Sequence, residues 1–210
     1  AGIMVNEKTG ENAINIIPGA AGTLTHNDIE KNLNFIAKAE IFLTQLETPY
    51  KVTSYALKKA KEKGLATILN PAPACEIDDD DFKLIDFFTP NETEAEFYLN
   101  KKIETEKDIK IASEEFLKKG IKNIVITLGE KGCYFANDKE NFFMNAFKLK
   151  EPVVDTTGAG DAFNGALAVG LSKNLDIKEV LTFANKVGAI STTKQGAAAS
   201  MPSMEDLNNY

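Results

Sequence analysis

Short apolar segments alternate with amphipathic helical segments along this chain, and the alternation restricts the fold more than any other feature. The pattern predicts an α/β protein, a layered α-β-α sandwich with a mainly parallel central sheet. Residues 124–126, Ile-Val-Ile, contain no polar side chain, as expected of a strand covered on both faces. Residues 41–45 are likewise predicted to form a buried strand. The other predicted strands are residues 1–5, 13–17, 65–69, 87–88, 133–136 and 141–144.

Helix starts and stops carry local signals. Thr25 with Asp28 three residues later is typical of a capping box, and predicts a helix to about residue 39. Thr48 followed by Pro49 predicts an N-cap and a first helical residue, and Gly64 after a lysine-rich turn predicts the end of that helix.

The charge balance narrows the function. The chain has 24 basic and 31 acidic residues, a net charge of −7, which disfavours binding to a nucleic-acid backbone. Every basic residue is lysine, so no guanidinium is available to clamp an anionic substrate. Lysine, metal ions, backbone amides or a helix start must therefore offset any negative charge that develops in a reaction.

The residue types that build the commonest metal and nucleophilic sites are scarce. His26 is the one histidine, which disfavours a histidine metal site and a Ser-His-Asp triad. Cys75 and Cys133 match no metal or disulfide spacing and are expected to be reduced thiols. No apolar run reaches the roughly 18–20 residues of a membrane span. We expect a cytoplasmic protein that binds neither membrane nor nucleic acid.

The sharpest motif is Asp-Thr-Thr-Gly-Ala-Gly-Asp at residues 155–161, placed where a strand ends and a helix begins. Glycines let the backbone approach a ligand closely, and the free N–H groups of a helix start attract an anion. A carboxylate at Asp161 is then placed to accept a proton from a hydroxyl that attacks a phosphoryl group. The spacing equally fits a glycine turn in which Asp161 only stabilises the helix start. Neither a P-loop nor a dinucleotide-binding fingerprint is present.

This motif resembles the signature of the ribokinase-like (PfkB-type) carbohydrate kinase family. Further similar stretches follow in the family's order, at residues 18–20, 45–47, 70–74, 89–96, 127–132 and 196–197. Together they cover nearly the whole chain, and Leu-Asn-Pro-Ala-Pro-Ala with Thr-Pro-Asn-Glu-Thr-Glu-Ala-Glu points to the branch that phosphorylates ribose. The resemblance implies transfer of the γ-phosphoryl group of ATP to the primary 5-hydroxyl of D-ribose, with Mg²⁺ and K⁺ as cofactors.

The resemblance assigns the chemical step to the motif itself. Asp161 matches the family's catalytic base, which also contacts the sugar hydroxyl. Gly158, Ala159 and Gly160 match the anion hole, whose backbone amides hold the transferred phosphoryl group. Glu47, at the end of a predicted strand, matches a sugar-hydroxyl contact; it also fits a carboxylate preceding a helix cap.

Nucleotide and Mg²⁺ positions follow from the same resemblance. Asn91 and Glu94 match the pair that organises Mg²⁺ and its waters near the phosphates, although Glu94 also fits an ordinary carboxylate in an acidic first turn. The nucleotide would lie along Thr127, Leu128, Gly129, Glu130, Lys131 and Gly132, and Asn185 would approach the adenine.

The resemblance also implies a monovalent-cation site that orders the anion hole. Its residues, mainly through backbone groups, would be Asp155, Thr157, Ser191, Lys194, Gly196 and Ser200. The same 191–200 stretch fits a simple turn of small residues.

Family members carry an upstream part with glycine-rich sugar motifs and much of a lid, which these 210 residues do not include. We therefore expect residues 1–210 to be one ribokinase-like α/β domain, the C-terminal nucleotide-binding and catalytic portion, with the lid and first strands mostly missing. The expected partners are a sugar and ATP, with a homodimer where the full-length protein carries the lid. The alternatives are a related kinase for fructose, a nucleoside or another sugar, and a non-catalytic nucleotide-binding fragment.

Overall fold

The computed structural model describes all residues from 1 to 210. The chain divides into two compact units, the first formed by Ala1–Ile17 with Asn145–Tyr210 and the second by Pro18–Met144. Eight strands are present: β1 (Gly2–Val5), β2 (Asn12–Asn15), β3 (Ile41–Thr44), β4 (Ala66–Leu69), β5 (Phe87–Phe88), β6 (Asn123–Thr127), β7 (Cys133–Asn137) and β8 (Asn141–Met144). Seven α-helices are present: α1 (His26–Ile36), α2 (Tyr50–Glu62), α3 (Glu92–Leu99), α4 (Glu106–Lys118), α5 (Ala159–Ser172), α6 (Ile177–Ser191) and α7 (Met204–Asn208).

The predicted α/β class is confirmed. The second unit contains a six-stranded sheet in the order β3-β4-β5-β6-β7-β8. Its first four strands are parallel, and β6, β7 and β8 pair antiparallel. Because successive parallel strands are neighbours, the carboxyl ends of β3, β4, β5 and β6 meet at one edge of the sheet, where ligands bind in open α/β sheets.

The core of this unit lies between the sheet and the helices α2, α3 and α4. Phe88 and Ile124 from adjacent strands and Phe116 from α4 have no exposed surface. Full burial of such a side chain stabilises the fold by about 1.5–3 kcal/mol. Val125 faces the other side of the sheet and is also fully buried, so the prediction that residues 124–126 are covered on both faces is confirmed.

Several predicted helix boundaries are confirmed, and one is wrong. Thr25 and Asp28 form the predicted capping box of α1, and Gly64 follows α2 with a φ of 80°. Pro49, however, occupies the N-cap of α2 with non-helical backbone angles, and the Thr48 hydroxyl bonds the Thr53 hydroxyl at 2.7 Å. The helix therefore begins one residue later than predicted, at Tyr50.

The strand predicted at 41–45 forms, but the prediction that it is buried is wrong. β3 is half-buried, and Leu43 is 38% exposed. The reason is its place in the sheet, since β3 is the end strand and pairs only with β4.

The first unit joins a β-hairpin to a helical pair. β1 and β2 form an antiparallel two-stranded sheet of their own, in which Ile3 lies opposite Ile14. The helices α5 and α6 pack closely because Gly170 lies against Val180, where an added Cβ would be 3.0 Å from a Val180 methyl group. As predicted, the two cysteines form no disulfide: Cys133 is buried and Cys75 half-buried, both in the second unit. Among the helices, none combines the length and apolar character needed to cross a membrane.

Candidate active site

The glycine motif forms a tight entry into α5. Gly158 is the N-cap residue and adopts a left-handed conformation, with a φ of 78°, that favours glycine. The Ala159 amide donates to the Thr156 carbonyl at 3.2 Å and closes the turn, while the Gly160 amide has no backbone acceptor. Gly160 is exposed, and a Cβ built on it would meet no atom within 4 Å. The helix start therefore presents a free amide at an open surface, as an anion site requires.

Asp161 lies in the first turn of α5 with an exposed side chain. The carboxylate is thus on the solvent side of the helix and not in the core. Asn164 donates from its side chain to the Gly160 carbonyl at 2.9 Å and fastens this first turn. The position suits a proton acceptor beside an anion site, and it also suits an acidic residue that stabilises the helix start.

Asp155 is the buried organiser of the motif. Its carboxylate is 2% exposed and accepts the backbone amides of Thr157 and Gly196, both at 2.9 Å. Hydrogen bonds from Thr157 and from Gly196 lower the pKa of Asp155, so the group is ionised at neutral pH. No lysine pairs with it. A buried negative charge held only by uncharged hydrogen-bond donors fits a nearby bound cation.

The other predicted cation-site residues have their side chains engaged elsewhere. Ser191 Oγ donates to the Gly188 carbonyl and Ser200 Oγ to the Ala197 carbonyl, each at 2.7 Å. The Lys194 ammonium pairs with Asp206 at 2.9 Å. The Lys194 ammonium is no ligand for a cation, so that residue is left with its backbone carbonyl, whereas the two serine hydroxyl oxygens keep lone pairs. That these residues act mainly through backbone groups stays a prediction.

The β1–β2 hairpin also contacts this motif, and the sequence did not reveal it. Asn12 Nδ2 donates to Thr156 Oγ1 at 3.0 Å, and Thr156 Oγ1 donates to the Gly10 carbonyl at 2.9 Å. Asn12 lies 144 positions and Gly10 lies 146 positions before Thr156 in the chain, so no local sequence pattern predicts these contacts.

Asn185 belongs to the same unit. It lies on α6, half-buried, one turn before Gly188. Gly188 contacts the start of α5, where an added Cβ would lie 3.3 Å from the Ala159 carbonyl oxygen. Residues three apart share a helix face, so Asn185 lies on the side of α6 that faces the α5 entry.

A second group of predicted residues collects at the carboxyl edge of the six-stranded sheet. Hydrogen bonds join Gln45 to Asn70 at 3.4 Å and Asn70 to the Thr89 carbonyl at 3.1 Å, across the ends of β3, β4 and β5. An isolated parallel bridge then links Asn91 to Thr127 at the end of β6. Asn70 is 7% exposed and fixes the neighbouring strand ends, a role that its place in Asn-Pro-Ala-Pro did not indicate.

Glu47 follows β3 at this edge, and its side chain is exposed. The preceding residue, Leu46, is buried, and its amide donates to the Ala72 carbonyl at 2.9 Å. The backbone before Glu47 is therefore anchored, while its carboxylate is available to a polar ligand.

Asn91 and Glu94 form a reciprocal capping box at the start of α3. Asn91 Oδ1 accepts the Glu94 amide, and Glu94 Oε2 accepts the Asn91 amide, both at 2.8 Å. Burial raises the pKa of the Glu94 carboxyl, and the Asn91 amide opposes that rise. With one oxygen engaged, the carboxylate fits Mg²⁺ through a bound water, because Mg²⁺ usually keeps several waters and borrows phosphate oxygens.

Residues 127–132 form a tight loop after β6. The Leu128 amide donates to the Gly132 carbonyl at 2.8 Å, and Gly129 and Gly132 both have positive φ, 55° and 102°. Glu130 and Lys131 point to solvent, whereas Leu128 is buried. The loop thus presents backbone and a lysine side chain at the same edge of the sheet as Asn91.

Comparison with known proteins places the chain among sugar kinases. The profile of the pfkB family carbohydrate kinases matches residues 1–204. A ribokinase of Staphylococcus aureus is 38% identical over 98% of this chain and 67% of its own length. A deoxyribokinase of Salmonella typhi is 35% identical over 100% of this chain and 68% of its own length.

The fold comparison agrees. The structure of an Arabidopsis thaliana ribokinase in complex with ribose and ATP superimposes with a TM-score of 0.89 at 28% identity, covering 99% of this chain and 67% of that one. The chain thus spans about two thirds of the length of the relatives it matches.

Proposed function

The chain belongs to the pfkB family of carbohydrate kinases, and we propose that it transfers the γ-phosphoryl group of ATP to the primary 5-hydroxyl of D-ribose. The observation that carries the proposal is the entry into α5, where the free amide of Gly160 and the exposed Asp161 carboxylate share one helical turn. An anion-binding amide and a proton acceptor are the two groups that phosphoryl transfer to an alcohol needs most.

Asp161 is the base in this proposal. Its carboxylate takes the proton of the sugar hydroxyl as the hydroxyl oxygen forms a bond to the γ-phosphorus. The bond between that phosphorus and the oxygen bridging to the β-phosphate breaks, so ADP leaves with the electron pair. The proton stays on Asp161 until solvent removes it.

The amides at the α5 start stabilise the negative charge on the phosphoryl group while it is transferred. Gly160 contributes its free N–H, and Gly158 sets the turn that aims it. Such preorganised donors act most strongly where they are fixed before the reaction begins. Because the chain lacks arginine, these amides and lysine are its own means of stabilising that charge.

The strand-end residues are proposed to hold the nucleotide and the metal. Asn91 and Glu94 would hold Mg²⁺ through its waters, and the ion when bound neutralises phosphate charge. Thr127 and the loop to Gly132 would lie along the nucleotide, and Lys131 is the loop cation. Glu47 would accept a hydrogen bond from a sugar hydroxyl, and Asn185 would approach the adenine.

A monovalent cation, K⁺ in this proposal, would lie beside Asp155. The buried carboxylate supplies charge, and the backbone oxygens of residues 191–200 and Thr157 supply neutral ligands. Bound there, the cation would stabilise the Asp155–Gly196 contact and, through it, the anion hole. Turnover is then expected to be higher in KCl than in the chloride of a larger organic cation at equal ionic strength.

The sugar is decided by a substrate panel. Relatives include both a ribokinase and a deoxyribokinase, so ribose and 2-deoxyribose are the first pair to compare, followed by fructose and adenosine. ADP release in a coupled assay is expected to give the highest kcat/KM with ribose. Preference for another sugar rejects the ribose assignment, and no ADP release with any of them rejects catalysis in favour of a nucleotide-binding role.

Cytoplasmic localisation and a homodimer stay predictions.

A further inference from the structure

The hairpin that joins β1 to β2 contacts the glycine motif at a residue to which no role has yet been assigned. We propose that Asn12 and Thr156 are positioning residues, which hold the turn of the anion hole through a hydrogen-bond relay to the Gly10 carbonyl. The proposal rests on the phosphoryl-transfer function proposed above. It adds two side chains that do not touch the substrate and yet set the geometry of the groups that do.

The relay is continuous. Asn12 Nδ2 donates to Thr156 Oγ1 at 3.0 Å, and the same hydroxyl donates to the Gly10 carbonyl at 2.9 Å. The Thr156 amide also donates to the Gly10 carbonyl, at 3.0 Å. The threonine therefore makes two bonds to one oxygen, and its hydroxyl is both donor and acceptor. Hydrogen bonds linked in this way polarise and strengthen one another.

Gly10 makes the close approach possible. It is buried, has a φ of 73°, and a Cβ built on it would lie 2.8 Å from a Val153 methyl group and 3.4 Å from the Val154 carbonyl. Real Cβ atoms do not tolerate the shorter distance, so the hairpin turn packs against the Val153 side chain and the Val154 backbone without room for a side chain of its own. The turn is thus a fixed surface against which Thr156 is held.

Thr156 passes this constraint to the anion hole through its own backbone. Its amide and hydroxyl are fixed by Gly10, and its carbonyl accepts the Ala159 amide at 3.2 Å in the turn that opens α5. A rotation of Thr156 would therefore turn Gly158 and re-aim the Gly160 amide. Small displacements of such groups are costly, because catalysis depends on a preset geometry.

The first experiment replaces the hydroxyl with a methyl group of similar shape. In the natural full-length protein, Thr156→Val is expected to lower kcat about tenfold, because the loss of one hydrogen bond that holds the turn raises the activation barrier by a corresponding amount. The KM for ATP should stay within about twofold of the wild-type value, because the anion hole stabilises the phosphoryl group in the transition state and not in bound ATP. Thr156→Ser, which keeps the hydroxyl, should recover most of the turnover, and the exposed hairpin variant Lys8→Ala serves as the control.

The relay itself is tested by a double-mutant cycle. Asn12→Ala is expected to lower kcat about threefold, and adding it to Thr156→Val should cost less than the product of the two single effects. Fully multiplicative effects would mean that the two side chains act independently, and they would overturn the relay. Asn12→Ala also keeps the test intact should Thr156→Val fail to fold.

A second readout does not depend on catalysis. Amide hydrogen exchange of residues 154–161 in the ligand-free protein is expected to become about fivefold faster in Thr156→Val and unchanged in Lys8→Ala. If the wild-type protein phosphorylates no sugar, the proposed function fails while this measurement still decides the relay. Unchanged exchange in Thr156→Val overturns the positioning role whatever the kinase assay gives.

Discussion

Replacing Gly160 with alanine is expected to stabilise the fold and nevertheless to lower kinase turnover. The residue lies in the first turn of α5, where an added Cβ would meet no atom within 4 Å of the protein. Alanine there should therefore cost no packing strain. The same open space is where the proposed anion hole receives the phosphoryl group, so the methyl group would stand in the way of the ligand.

The stability effect follows from helix propensity. Glycine within a helix is less stable than alanine by about 0.5–1 kcal/mol, because it loses more conformational freedom on folding. For a chain of this length, a change of that size raises Tm by about 1–4 °C. The turnover effect has the opposite sign, and a loss of about 10²-fold or more is expected when one donor of such a hole is obstructed.

Gly158 supplies the contrasting variant. Its φ of 78° is left-handed, and an added Cβ would lie 3.2 Å from the Met201 side-chain end and 3.5 Å from Ala197 Cα. A left-handed conformation costs an alanine about 1–2 kcal/mol, so Gly158→Ala should lower Tm by about 2–8 °C. Both variants are expected to lose turnover, but their stabilities should move in opposite directions.

Thermal unfolding and a coupled ADP assay measure the two quantities on the same samples. The comparison separates obstruction of the ligand from damage to the fold, since Gly160→Ala cannot lose activity by unfolding if its Tm rises. A Gly160→Ala protein that is more stable and turns over at the wild-type rate would refute the assignment of the anion hole to this turn.

Two further predictions concern charged groups of the second unit. Asp86→Asn is expected to lower the free energy of unfolding by about 2 kcal/mol at pH 7, since the carboxylate, on a side chain that is 10% exposed, accepts hydrogen bonds from Lys61. Burial raises the pKa of Asp86, but hydrogen bonds from Lys122 and Lys61 outweigh it and leave the pKa lowered. The ionised carboxylate therefore contributes its full stabilisation above the unfolded-state pKa of about 3.9, and this stabilisation is lost as the pH falls through the lower pKa of the folded state. Urea unfolding should accordingly show a smaller difference in the free energy of unfolding between wild type and variant in acid than at pH 7. Glu94→Gln keeps an oxygen for the capping box and should change Tm little. In a metal titration, however, the variant should need about tenfold more Mg²⁺ for half-maximal turnover. An unchanged Mg²⁺ requirement would remove Glu94 from the metal site.

Most of the fold features that could be predicted from the sequence depend on short local patterns. Capping boxes and glycine stops depend on residues a few positions apart, so Thr25 with Asp28 marked α1, and Gly64 marked the end of α2. The signal at Thr48 failed because two geometries compete there. Proline is as compatible with a non-helical N-cap as with a first helical turn, and the Thr48 hydroxyl bonds Thr53 instead of a backbone amide.

The candidate site divides in the same way. The motif at 155–161 is contiguous, so its glycine turn and helix start could be predicted from spacing, whereas the roles of its residues came from the family resemblance. Gly10 and Asn12 contact that motif from 144 or more positions away, and Asn70 joins strand ends about 19 and 25 positions away. Such contacts are set by the tertiary fold, because only strand order and helix packing bring those backbones together.

Side-chain burial in the sheet could be predicted only where the strand had two neighbours. Residues 124–126 are apolar and central, and they are buried as predicted. Residues 41–43 are equally apolar, yet β3 is the end strand and stays half-exposed, with Leu43 at 38%. Composition alone did not distinguish the two positions, since strand order depends on the whole chain.

The most direct measurement compares turnover and nucleotide binding in Asp161→Asn. The change removes the proton acceptor and keeps the size of the side chain at the first turn of α5. With ribose as substrate, kcat is expected to fall by about 10²–10⁴-fold, while calorimetry gives a Kd for ATP–Mg²⁺ close to that of the wild type. A variant that binds ATP normally and phosphorylates ribose at close to the wild-type rate would contradict the account, because the carboxylate would then not be the base.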